Sequence, residues 1–208
     1  MIFVIAHVDN TLLIGLQDDV LEAKVHLKKK FKTKDIDEEK LFIGLNLIRD
    51  REKGLIFMDQ SYYMKEVLKT YEMAEYNLAA TSLVLGESLV KGCKTCLLLQ
   101  GDKKIYQALV GLLGYLMNCS RPDMAYRVTK LVQFAVFPTK THLTTAKHVF
   151  RYLKAKQNVY LTLGGSTGVD KKDRYIVSAY FDLSWADDKD HFHSTFGYVL
   201  LDSDSPLL

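Results

Sequence analysis

Two short apolar runs, residues 2–5 and 11–14, flank a polar connection, the pattern of a tight β-hairpin with Asp9 at its tip. Over residues 17–34 the spacing becomes that of an amphipathic helix. Val20, Leu27 and Phe31 recur on one face, Asp18 and Asp19 suit the first turn, and Lys28 to Lys30 suit the last turns, where cations meet the negative end of the helix dipole. A second hairpin is expected from residues 41–48 and 55–58 around the turn Asp50 to Gly54, followed by a helix through Met64, Val67, Leu68 and Tyr71. The order is thus ββαββα. Residues 75–101 have no clean period and hold Gly86, Gly92 and Gly101, which predicts a surface connection. Three helices follow. The first carries Ile105, Leu109, Leu112, Leu113 and Leu116, the second is opened by Pro122 with Asp123 behind it, and the third sets Leu143, Ala146, Phe150 and Leu153 along one side of residues 139–156. Strands are expected at 159–163, 175–181 and 195–201, with an aspartate-rich loop at 182–194.

Composition adds a class to this pattern. At 208 residues, 48% hydrophobic and 25% charged, the chain can bury one good core or two small ones. Its longest apolar runs fall short of the ~18 residues that a membrane span requires, and an intracellular location without membrane partners is expected. Three cysteines cannot build a disulfide framework, which fits a reducing compartment. Cys93 and Cys96 have zinc-type spacing but no second Cys or His pair at a finger-like distance, so free thiols in a loop are expected, with Cys119 packing on its helix. His191 and His193 beside Asp187, Asp188 and Asp190 read as a solvated loop rather than as an ion site.

The net charge of +3 is small, but its distribution is uneven. Between residues 124 and 169 lie Arg127, Lys130, Lys140, Lys147, Arg151, Lys154 and Lys156, with no Asp or Glu. Arg127, Lys130, Lys147, Arg151 and Lys154 are candidates for phosphate contacts, weighed against a solvated helix face whose stems cover apolar surface.

The run "YQALVGLLGYLMNCSRPDMAYRV", residues 106–128, resembles a block of the reverse transcriptase of Ty1/copia-type retrotransposons near its junction with RNase H. "LFIGLNLIRDREKGLIFMDQSYYMKEVL", "HVFRYLK" and "AYFDLSWADDKDHFHSTFGYVLL" match further blocks, so that the resemblance covers nearly the whole chain. It implies an α+β fold. Residues 1–85 would be the C-terminal part of a polymerase palm, 86–157 a linker and helical thumb or connection, and 158–208 the first, truncated part of an RNase H-like domain.

By the same resemblance, the opening hairpin lies where the family has Tyr-Val-Asp-Asp. Asp9 matches its first aspartate, while His7 and Asn10 replace the tyrosine and the second aspartate on either side of Val8 and Asp9. Asp182 matches the first RNase H aspartate, and Ser184 stands where another acid is usual. The family's chemistry uses paired Mg²⁺ ions held by several carboxylates. Asp9 and Asp182 inherit the metal-ligand role but are too few to hold Mg²⁺ stably, and the bland reading of the tip is a turn whose Asp and Asn bond their own backbone. The expectation is an eroded fragment of a Pol polyprotein, by descent an RNA-directed DNA polymerase with RNase H, inactive by itself. The alternatives are a non-specific binder of RNA–DNA hybrid or duplex, a co-opted interaction protein, or a part that works only with upstream polymerase segments.

Overall fold

The computed structural model describes residues 1–36, 41–84, 89–164, 177–202 and 205–207. Expectations attached to Gly86 and to a strand start at Tyr175 lie outside the described residues. The chain divides into two units, Met1–Phe42 and Ile43–Leu208.

In the first unit, β1 (Ile2–His7) pairs antiparallel with β2 (Asn10–Gly15), in a register running from Ile2 opposite Gly15 to His7 opposite Asn10. The strands reach further than the apolar runs suggest, because His7 and Asn10 are themselves a ladder pair and only Val8 and Asp9 make the turn. A two-residue hairpin loop needs a residue at positive φ to match the strand twist, and Val8 takes that conformation at φ 51°. For a β-branched residue this is strained backbone. Helix α1 (Gln17–Lys30) has Asp18 and Asp19 in its first turn and Lys28 to Lys30 in its last, and it stops before the expected residue 34. Lys24 and Lys28 both reach Asp35, at 2.8 and 3.2 Å. The short strand β3 (Leu41–Phe42) ends the unit.

The second unit contains the core. Strands β4 (Leu45–Asp50) and β5 (Leu55–Asp59) form the expected hairpin, but residues 41–48 do not make one strand. Ile43 and Gly44 sit at φ 51° and 75°, and the Tyr115 hydroxyl donates to the Ile43 carbonyl at this break. Helix α2 (Ser61–Thr70) starts where the Asp59 carboxylate accepts from the Ser61 N–H at 2.7 Å and from Asn46 Nδ2 at 2.8 Å. Helices α3 (Gln100–Cys119), α4 (Ala125–Gln133) and α5 (Lys140–Ala155) follow. Pro122 opens a short 3₁₀ turn ahead of α4.

Met64, Val67 and Leu68 of α2 pack with Tyr106, Leu109, Leu113 and Leu116 of α3, Val128 and Leu131 of α4, and Ala146, Val149, Phe150 and Leu153 of α5. Each buried Val, Leu, Met or Phe among them contributes about 1.5–3 kcal/mol by leaving water. Ile105, expected on the buried face, is exposed, and its neighbour Tyr106 is the residue turned fully inward. The Tyr106 hydroxyl donates to the Leu131 carbonyl at 2.7 Å, which satisfies its one polar atom and ties α3 to α4. At the start of α5, Thr139 and His142 form a reciprocal capping box, and the His142 ring stacks on Phe134 with centroids 4.1 Å apart.

Strand β6 (Leu161–Gly164) returns to pair antiparallel with β5, Met58 opposite Leu161 and Leu55 opposite Gly164. It therefore joins the sheet of β4 and β5, not that of the strands that follow it. Those strands, β7 (Val177–Leu183), β8 (Phe196–Asp202) and β9 (Ser205–Leu207), form a separate antiparallel sheet in that order. The architecture is mixed α and β with antiparallel sheets, as the α+β expectation has it.

Candidate functional site

The Asp9 carboxylate is exposed at the tip of the β1–β2 turn, flanked by the paired residues His7 and Asn10. Among the described residues, the groups that bring three possible His, Cys, Asp or Glu ligand atoms within 4.8 Å of one another are Asp188, His191 and His193, and Asp9 is not among them. Asp182 lies near the end of β7 opposite Gly197, where its carboxylate accepts from the Leu183 N–H at 2.9 Å. It too stands outside that cluster. Ser184 closes the β7–β8 loop instead, its hydroxyl accepting from the Thr195 N–H at 3.0 Å and donating to the Thr195 carbonyl at 3.2 Å. A paired Mg²⁺ site needs several anionic oxygens converging, and neither position supplies such a set. The described residues do not fit the metal pair that the resemblance implies.

The five basic candidates are placed differently from one another. Arg127 is buried in α4 and donates to the Ser82 carbonyl at 3.4 Å. Lys130, one turn on, is also buried, with Nζ 2.9 Å from the Asp187 carboxylate. Thr195 Oγ1 and the Tyr126 hydroxyl donate to the same carboxylate at 2.8 and 3.2 Å. Desolvation raises the Asp187 pKa, but the hydrogen bonds from Lys130 and Thr195 outweigh it and hold the carboxyl well below the usual range. On α5, Arg151 donates to the Asn77 carbonyl at 2.6 Å, and Lys154 donates to the carbonyls of Ala74 and Tyr76. The Ala79 N–H returns a bond to the Arg151 carbonyl at 3.3 Å. Four of the five cations thus hold other parts of the chain. Lys147 makes no such bond among the described residues; it lines an open cleft of about 430 Å³ with Glu75, Tyr76, Asn77, Thr144, His148 and Arg151.

The most distinctive motif, Cys119-Ser120-Arg121-Pro122-Asp123, is a structural joint. The buried Arg121 guanidinium forks onto Asp123, with Nε 2.9 Å from one oxygen and Nη2 2.8 Å from the other. Its Nη1 donates to the Lys156 carbonyl at the end of α5 at 3.1 Å. Tyr152 completes the joint, its hydroxyl 2.6 Å from Asp123 and its ring under the guanidinium at 5.5 Å. Ser120 donates to Gln60 Oε1 at 2.7 Å, and so ties the end of α3 to the start of α2.

Cys93 and Cys96 are bonded to each other, contrary to the expectation of free thiols; Cα atoms 5.3 Å apart allow the bridge that sequence spacing alone left open. Cys119 is the free cysteine, and burial pushes its thiol pKa up. The segment carrying the disulfide lies against the start of α5: Leu98 donates to the Pro138 carbonyl at 2.9 Å, and a Cβ at Gly92 would meet Thr139 Cγ2 at 2.2 Å. Only glycine fits that approach. No described helix is long and apolar enough to cross a membrane.

The chain is 31% identical over 203 residues to the retrovirus-related Pol polyprotein from transposon TNT 1-94 of Nicotiana tabacum, which covers 95% of this chain and 15% of that protein. It is 29% identical over 205 residues to the Pol polyprotein from transposon RE1 of Arabidopsis thaliana, covering 96% of this chain and 13% of that one. To the putative transposon Ty5-1 protein of Saccharomyces cerevisiae it is 28% identical over 207 residues, 99% of this chain and 64% of that protein. No protein-family model and no solved structure matches it significantly. Along nearly its whole length, the chain belongs with the Pol polyproteins of Ty1/copia-type retrotransposons and corresponds to one segment of them.

Proposed function

We propose that this segment comes from the reverse transcriptase–RNase H part of such a polyprotein and that it neither polymerises nor cleaves nucleic acid as the 208-residue chain. In this reading residues 1–85 derive from the palm, 86–157 from the linker and thumb or connection, and the last strands from an RNase H-like domain. The pairing of β6 with β5 favours drawing the last border after Gly164 rather than before it.

The observation that carries the inactive reading is the turn between His7 and Asn10. Asp9 is the one carboxylate at this tip, and Asn10 brings an amide oxygen without charge. Phosphoryl transfer by paired Mg²⁺ ions needs anionic ligands that fix both ions at once, and one carboxylate on a two-residue turn does not do that. Engagement of Arg127, Lys130, Arg151 and Lys154 within the protein supports a scaffold role for the basic block over a duplex-gripping one.

A primer-extension assay on a primed RNA template with Mg²⁺ or Mn²⁺ tests the reading. No incorporation is expected from the chain, and none from Asn10→Asp, which restores only one charge. Robust extension by either protein refutes the proposal.

A further inference from the structure

The β7–β8 loop holds a second, unrelated set of ligands. Asp188 Oδ2 and His191 Nδ1 are 3.0 Å apart, the His191 and His193 rings stack at 5.5 Å between centroids, and ligand atoms of all three residues lie within 4.8 Å. We propose that Asp188, His191 and His193 form a binding site for a zinc-class divalent transition ion, with water completing the coordination.

The donor chemistry selects the class of metal. Two imidazoles and one carboxylate suit zinc and its neighbours, whereas Mg²⁺ and Ca²⁺ prefer oxygen-only sets. Two ligands on one tetrahedral zinc lie about 3.3 Å apart, given bonds of about 2.0–2.1 Å. The Asp188–His191 pair is already near that spacing at 3.0 Å, and the third ligand closes by turning the exposed His193 side chain.

The backbone presents these ligands in advance. Asp188 donates to the His193 carbonyl at 3.1 Å and accepts at its own carbonyl from the Phe192 N–H at 2.7 Å, closing a small ring of chain. Phe192 is held at φ 59°, a conformation that a bulky side chain adopts at a cost. The Asp190 N–H donates to Asp188 Oδ1 at 2.9 Å, leaving Oδ2 toward His191, an outer bond of the type that orients metal carboxylates. Below the loop, Thr195 and Lys130 fix Asp187.

Lys91 makes the site distinguishable from a casual pair of surface histidines. Its Nζ is 2.6 Å from His191 Nε2, so that in the metal-free protein Nε2 accepts from the ammonium and Nδ1–H faces Asp188. When Nδ1 binds a metal, the ring proton must move to Nε2, which turns a donor toward the Lys91 donor. The ammonium therefore opposes metal binding, and removing it strengthens the site.

Titration of the oxidised 208-residue chain with Zn²⁺, and with Co²⁺ followed by its visible absorption, tests this. Saturable one-to-one binding is expected, weakened more than about tenfold by His191→Ala, His193→Ala or Asp188→Asn, since even outer partners of metal ligands are worth about 10–100-fold. Lys91→Ala is expected to bind more tightly than the parent, with circular dichroism unchanged in all four variants. Absence of saturable binding, or binding that survives the two histidine replacements, overturns the proposal. So does binding abolished by Cys93→Ser with Cys96→Ser, which assigns the ion to thiols.

Discussion

Arg121 and Asp123 form a two-pronged ion pair at the junction of α3 and α4, with both contacts at 2.9 Å or less and the guanidinium side chain only 5% exposed. The pair joins three helices, because Arg121 also binds the last turn of α5 and Tyr152 binds Asp123. Arg121→Ala removes the fork and leaves the Lys156 carbonyl without this donor, so a loss of about 2–4 kcal/mol is expected. Arg121→Lys is expected to recover only part of it, since an ammonium cannot make the two parallel bonds. Urea midpoints at constant slope measure both changes, and an unchanged midpoint for Arg121→Ala would show the joint to be idle.

The same joint sets a pH dependence. Desolvation raises the Asp123 pKa, but hydrogen bonds from Arg121 and Tyr152 outweigh it and lower the value from the usual 3.8. A carboxyl whose folded value is depressed stabilises the protein fully above its unfolded pKa and loses that contribution as pH falls through the folded one. Stability is therefore expected to drop below about pH 4, and Asp123→Asn is expected to flatten that part of the curve. Equilibrium unfolding of both proteins between neutral and acid pH reads the difference.

Lys130 and Lys147 are expected to separate cleanly. Lys130→Met strips a buried ammonium from Asp187, which keeps Thr195 and Tyr126 as partners, for a cost of about 1–3 kcal/mol. Lys147→Ala removes a side chain with no bond among the described residues and is expected to change stability by less than about 0.5 kcal/mol. Equal losses from the two would mean that the burial difference between α4 and α5 is not what governs these cations.

Buried Tyr106 supplies a fourth check. Tyr106→Phe keeps the ring in the core but leaves the Leu131 carbonyl short of a donor, with an expected loss of about 1–3 kcal/mol in thermal or chemical unfolding.

For the cysteines the expectation is a count. Thiol titration of denatured, unreduced protein should find one reactive group, Cys119, and three after reduction. Closing so short a loop stabilises by about 2 kcal/mol in the chain-entropy treatment, which bounds the effect of a reductant on unfolding.

The helices were legible because burial of one face writes itself into the sequence at helical spacing: Leu109, Leu113 and Leu116 are where that spacing puts them. The choice between Ile105 and Tyr106 was not legible, because it depends on the Leu131 carbonyl, 25 residues away, receiving the hydroxyl. Likewise the break at Ile43 and Gly44 depends on Tyr115 from α3. The internal partners of the basic block were hidden for a related reason. Composition reports charge but not partners, and the partners of Lys130 and Arg151 are Asp187 and the Asn77 carbonyl, distant in the chain. Asp9 at a hairpin tip was readable from its flanking strands alone.

Strand β6 completes a sheet whose other members are made before helices α2 to α5 are synthesised. During translation, the outer edge of β5 stays open until Leu161 has left the ribosome, and contacts this distant in sequence form late. Ribosomes that stall inside the helices would release chains whose unpaired β5 backbone invites intermolecular strand addition, an opening that pairing with β6 takes up.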